Sequence, residues 1–97
     1  MKKGINIREK ELIIEKIKTF FPHAKILVFG SRLSGKFRKF SDLDISLDDG
    51  NPLDLTNLSL LEEALTQSDL LYKVDIVDWN RITKDFQEIV LEQNEKW

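Results

Sequence analysis

The sequence predicts a small α/β or α+β domain, a sheet with flanking helices in the order α-β-α-β-α-β-α. Three observations carry this. Apolar residues recur at helical spacing in several stretches. Short apolar or strictly alternating runs lie between them. Gly, Pro and Asn punctuate the joins. The chain has 97 residues, which is room for one domain, 1–97, with a small core.

Residues 7–21 read as an amphipathic helix, because Ile13, Ile17 and Phe20 follow helical spacing and Ile14 and Phe21 widen the stripe. Pro22 stops it. The run Ile26-Leu27-Val28-Phe29 is apolar throughout, as expected of a central strand buried on both faces. Gly30 ends that strand. A short helix begins near Ser31 and ends or is interrupted at Gly35. Residues 41–48 alternate: Leu43, Ile45 and Leu47 take one parity, and Asp42, Asp44, Ser46 and Asp48 the other. Period-two alternation predicts a strand with one buried face. Asp49-Gly50-Asn51-Pro52 is a turn, and Asp48 beside it reads as turn chemistry. Residues 53–67 form a helix with Leu58, Leu61 and Leu65 on one side. Residues 72–77 form a third strand. Residues 83–97 form a last helix with Phe86, Ile89 and Val90 inward. Three strands leave edges to cover, so a homodimer or hetero-oligomer has surface to use.

Composition removes several function classes. The formal net charge of -2 is unlike that of a protein that coats nucleic acid, so no direct nucleic-acid binding is expected. The chain has no cysteine, which excludes disulfides and thiolate metal sites. No apolar region follows Lys2-Lys3 and no run reaches membrane-spanning length, so a cytoplasmic protein without membrane attachment is expected. There is neither a Walker-type phosphate loop nor a Gly-x-Gly-x-x-Gly turn.

The stretch from Val28 to Ile45 carries the chemistry. Gly30-Ser31 follows an apolar strand, where glycine lets backbone approach a phosphate and serine can cap a helix, donate its hydroxyl to a phosphate, or do both. Arg32, Lys36, Arg38 and Lys39 make the loop basic. Arg32, next to Ser31, is the expected direct phosphate contact, and the other three are interchangeable. Asp42 and Asp44 then project from one strand face. Two carboxylates so close repel unless a cation joins them, and magnesium takes carboxylate and phosphate oxygens together. A third carboxylate comes from residues 72–78. Asp75 sits inside an apolar strand, which is costly unless it is paired or metal-bound. Asp78, at the strand end, competes with it and suits a cap or turn. His23 reads as a surface residue, and Trp79 and Trp97 as packing or interface residues.

Gly-Ser after a strand, followed ten residues later by Asp-x-Asp, resembles the signature of the nucleotidyltransferase superfamily, whose palm-like domain is shared with DNA polymerase beta. The resemblance spans about residues 25–77. With the short length, it is closest to the minimal nucleotidyltransferases of bacteria and archaea. It implies a small mixed sheet of palm type. It also implies ATP as substrate and two magnesium ions on Asp42, Asp44 and Asp75, with Gly30, Ser31, Arg32 and Lys36 at the nucleotide. The implied reaction moves AMP onto a hydroxyl. The implied partner is a helical HEPN-domain toxin, whose tyrosine accepts AMP and is thereby silenced. A binding module that masks a helical partner by contact is the alternative. An enzyme that nucleotidylates a small molecule is weaker, because the chain has no room for a substrate domain.

Overall fold

The computed structural model describes residues 5–35 and 41–97. In chain order its elements are α1 (Ile7–Phe20), β1 (Lys25–Phe29), α2 (Ser31–Ser34), β2 (Leu43–Asp48), α3 (Leu55–Thr66), β3 (Val74–Asp78), α4 (Lys84–Glu92) and β4 (Glu95–Lys96). Asn6 starts α1 with a capping box. Its side chain accepts from the Glu9 N–H at 2.9 Å, and the Glu9 carboxylate accepts from the Asn6 N–H at 3.0 Å. Asp54 and Thr83 cap α3 and α4 in the same sense, each accepting from the N–H three residues on.

The described strands form one sheet in the order β3-β2-β1-β4. β1 runs antiparallel to β2 and to β4, and β2 runs parallel to β3, so the sheet is mixed as expected. β1 and β2 meet as an antiparallel pair through a link that includes four-residue α2. Twelve-residue α3 carries the chain from β2 back to a parallel β3.

α1 and α3 pack on one face of this sheet. Ile13, Ile17, Leu61 and Leu65 close over Ile26, Val28, Leu43, Ile45, Leu47, Val74 and Ile76, all buried. The expected alternation in β2 is therefore met: Leu43, Ile45 and Leu47 are fully buried. The opposite parity, with Phe29, Asp44 and Asp75, faces the other way. There α4 reaches the sheet through Phe86, whose ring meets Phe29 edge-on at 6.0 Å.

The chain's end departs from expectation. The last helix stops at Glu92 rather than running to Trp97, Gln93 is extended, and Glu95–Lys96 pairs with β1 as a fourth strand. The Trp97 N–H donates to the Ile26 carbonyl at 3.0 Å, and Trp97 packs against the core. The open edge of β1 satisfies its backbone groups this way, a demand that local helical spacing does not reveal. Ile89, expected inward, is 57% exposed, while Val90 is fully buried.

Candidate active site

The site is assembled by strand register. β1 pairs with β2 so that Phe29 lies opposite Asp44, which brings the next residue, Gly30, over the Asp44 side chain. Gly30 has φ 86° and ψ −164°, a region that only glycine enters readily. A Cβ there would overlap the Asp44 carboxylate and lie 3.0 Å from its Cγ. Two independent reasons thus require glycine at position 30, and the second places the Gly-Ser turn against the carboxylate. Ser31 opens α2, and Gly35, in the left-handed region at φ 85°, closes it.

Parallel pairing sets the third carboxylate. Asp44 is the register partner of Asp75 on β3, so the two share one face on neighbouring strands. Asp42, exposed and just ahead of β2, has the parity of Asp44. The electrostatics record this crowding. The Asp44 carboxyl is raised from its ordinary 3.8 to about 6, first by burial, then by the negative charges of Asp75 and Asp42.

Asp78 lies elsewhere. It has core parity, opposite Leu47, and is buried. Its carboxylate accepts from the Leu53 N–H at 2.8 Å and the Asn80 N–H at 3.1 Å, and lies 3.5 Å from the Arg81 guanidinium. That is the work of a turn, tying β3 to the start of α3. Asp48 also serves a turn. It accepts from the Gly50 N–H and from the Asn80 side chain, both at 2.9 Å, and these bonds hold its carboxyl below the ordinary range. His23 is exposed.

Arg32 is not placed as the sequence suggests. It is 4% exposed, with its guanidinium carbon 3.8 Å from the centre of the Tyr72 ring and its Nε donating to the Ser41 carbonyl at 2.7 Å. The guanidinium faces inward because the aromatic ring and the carbonyl satisfy it there. The expected direct phosphate contact does not match this placement. Lys36, Arg38 and Lys39 lie outside the described residues. Tyr72 is the residue that sequence reasoning missed. Its only signal was an aromatic at the entry to a predicted strand, which says nothing of the cation it meets. A cavity of about 470 Å³ between Leu27, Ser46, Trp79 and Trp97 opens on the carboxylate face, but neither Asp44 nor Asp75 lines it.

The donor set of Asp42, Asp44 and Asp75 consists of hard carboxylate oxygens, which fits magnesium rather than a soft metal. Among the described residues no three His, Cys, Asp or Glu side chains come together in a group that could hold a metal ion by itself. No helix of the described residues is long and apolar enough to cross a membrane.

The fold and the sequence both have counterparts among known proteins. Residues 11–96 match the family model described as Polymerase beta, Nucleotidyltransferase. The chain is 39% identical over 88 residues to a probable protein adenylyltransferase MntA of Haemophilus influenzae, covering 89% of this chain and 77% of that protein. Among solved structures, it superposes on a chain of a toxin-antitoxin with AMP-PNP at a TM-score of 0.78 and 28% identity, over 91% of this chain and 72% of that one. It also superposes on a chain of a mutant toxin-antitoxin MntA-HpeT at a TM-score of 0.77 and 25% identity, over 96% of this chain and 73% of that one. The chain belongs to the Polymerase beta nucleotidyltransferase family.

Proposed function

We propose that this protein transfers AMP from ATP to a hydroxyl group, and that the acceptor is a tyrosine of a helical HEPN-domain toxin, which makes the chain a catalytic antitoxin. The observation that carries the chemistry is the register that sets Gly30-Ser31 over Asp44 and Asp44 beside Asp75. The choice of acceptor is supported by similarity to a probable protein adenylyltransferase and to chains of toxin-antitoxin structures. On this reading, residues 1–97 act as one catalytic unit in the cytoplasm.

The residues divide the work. Gly30, without a Cβ, lets the backbone come close to the triphosphate, and the Ser31 hydroxyl and N–H bind it. Asp42, Asp44 and Asp75 would hold magnesium, in two ions by family resemblance. When bound, magnesium neutralises phosphate charge and makes a hydroxyl easier to deprotonate. Asp75, exposed to an incoming acceptor, takes the hydroxyl proton on a carboxylate oxygen. The acceptor oxygen forms a bond to the α-phosphorus in line as the α–β bridging P–O bond breaks, and pyrophosphate leaves.

The test uses purified protein, the helical protein encoded beside it, magnesium and ATP labelled on the α-phosphate. Label on the partner, lost in the Asp42→Asn/Asp44→Asn double variant, is the expected result. A stable complex without label would instead favour a module that masks its partner by contact. The exposed Leu60, Leu71, Ile89 and Leu91 offer surface for such a contact.

A further inference from the structure

The buried arginine beside the Gly-Ser turn joins three segments that each carry part of the site. Its own backbone belongs to α2, one residue after Ser31. Its Nε holds the carbonyl of Ser41, the residue before Asp42. Its guanidinium stacks on Tyr72, three residues before Asp75 and at the entry to β3. Tyr72 is itself buried, and its hydroxyl has no hydrogen-bond partner among the described residues; burial, then the negative charge of Glu9, push the phenol up, so it stays neutral. At the same entry to β3, the Leu43 N–H donates to the Lys73 carbonyl at 2.8 Å, so β2 and β3 are already tied at their first residues.

We infer that Arg32 is a positioning residue, not a phosphate ligand: stacked on Tyr72 and bonded to Ser41, it sets the separation between the Gly30-Ser31 turn and the carboxylates of Asp42 and Asp75. The inference deepens the nucleotidyltransferase reading and rests on it for the reaction, though not for the geometry. Three features make arginine the suitable side chain. Its planar guanidinium stacks face to face on a ring while an edge N–H stays free to donate sideways. It keeps its charge when buried, where a lysine would lose its proton more readily. From α2 it reaches the Ser41 carbonyl with Nε while its guanidinium carbon lies over the Tyr72 ring. Lysine, a point charge on a flexible stem, cannot hold both contacts in one plane. A groove that must accept a triphosphate and a metal needs its walls held to a fraction of an ångström, because small misplacements of reacting groups are costly.

The experiment compares Arg32→Lys, Tyr72→Phe and Tyr72→Leu with the wild-type protein in two assays. The first is Mn²⁺ affinity by electron paramagnetic resonance, which needs no acceptor. The second is steady-state AMP transfer to the helical partner, with kcat and the KM for ATP separated. Tyr72→Phe keeps the ring and is expected to leave both within about twofold of wild type. Arg32→Lys and Tyr72→Leu are expected to weaken Mn²⁺ affinity and lower kcat by about tenfold or more, with the KM for ATP changed much less. Thermal melts keep folding separate, and Tyr72→Leu retains an apolar side chain at that buried position.

Three results would overturn the inference. One is wild-type Mn²⁺ affinity and kcat in both disruptive variants. Another is an effect of Arg32→Lys confined to the KM for ATP, which marks a phosphate ligand. The last is no Mn²⁺ binding by the wild-type protein, which would leave nothing to position. Absence of transfer together with the expected Mn²⁺ pattern would sink the enzymatic reading and leave the strut standing.

Discussion

Asp44→Asn should make the metal-free protein more stable while abolishing its chemistry. The Asp44 carboxyl is raised from 3.8 to about 6 by burial and by Asp75 and Asp42. The folded state therefore holds a proton that the unfolded state releases. The sign follows from linkage. The folded protein binds more protons between these two values, so its stability falls as pH rises from about 4 to about 6 and stays lower above that. The full shift corresponds to about 3 kcal/mol. The group is only half-buried, so water screens it, and about 1 kcal/mol is the reasonable figure. Asparagine has nearly the same shape under Gly30 and carries no charge, so it removes this cost. Near pH 7 without divalent ions, the variant should melt about 4–8 °C higher than wild type, and the gap should close near pH 4. Adding magnesium should raise the wild-type midpoint and leave the variant nearly unmoved, since binding to the folded state stabilises it by mass action. Scanning calorimetry at the two pH values, with chelator or magnesium, reads all of this. A variant that melts at or below wild type near pH 7 in chelator would refute the account of a strained carboxylate cluster.

The other aspartates should separate cleanly. Asp75→Asn should lower AMP transfer by about 10²-fold or more with little loss of stability. Asp78→Ala should do the reverse, leaving the Leu53 N–H orphaned and costing about 1–3 kcal/mol in denaturant titration, with transfer per folded molecule largely kept. Gly30→Ala should cost about 2–3 kcal/mol, because φ 86° and the overlap with Asp44 both oppose a Cβ, and it should also abolish transfer. The Asp48 carboxyl is held low by Gly50 and Asn80, so the stability it adds is present above its ordinary 3.8 and is lost as pH falls below that; Asp48→Ala should remove this part of the acid-side loss in pH-dependent melts.

Much of this protein was legible in residue order, because its informative patterns are local. The alternation of Leu43, Ile45 and Leu47 against Asp42 and Asp44 states which way each side chain faces before any partner strand is known. The Ile13–Ile17 and Leu61–Leu65 spacings do the same for α1 and α3. Residue order alone therefore carried the elements up to β3, the inward faces of α1, β2 and α3, and the Gly-Ser and Asp-x-Asp segments that mark a nucleotidyltransferase. The tertiary structure decided what depends on residues distant in sequence meeting in space. Strand register brought Asp75 beside Asp44 and turned Asp78 to the core side. The open edge of β1 drew Glu95–Lys96 out of the helix that local spacing predicts. Arg32 was turned inward onto Tyr72, forty residues away, because an aromatic face and a carbonyl wait there, and no pattern within either segment contains that meeting.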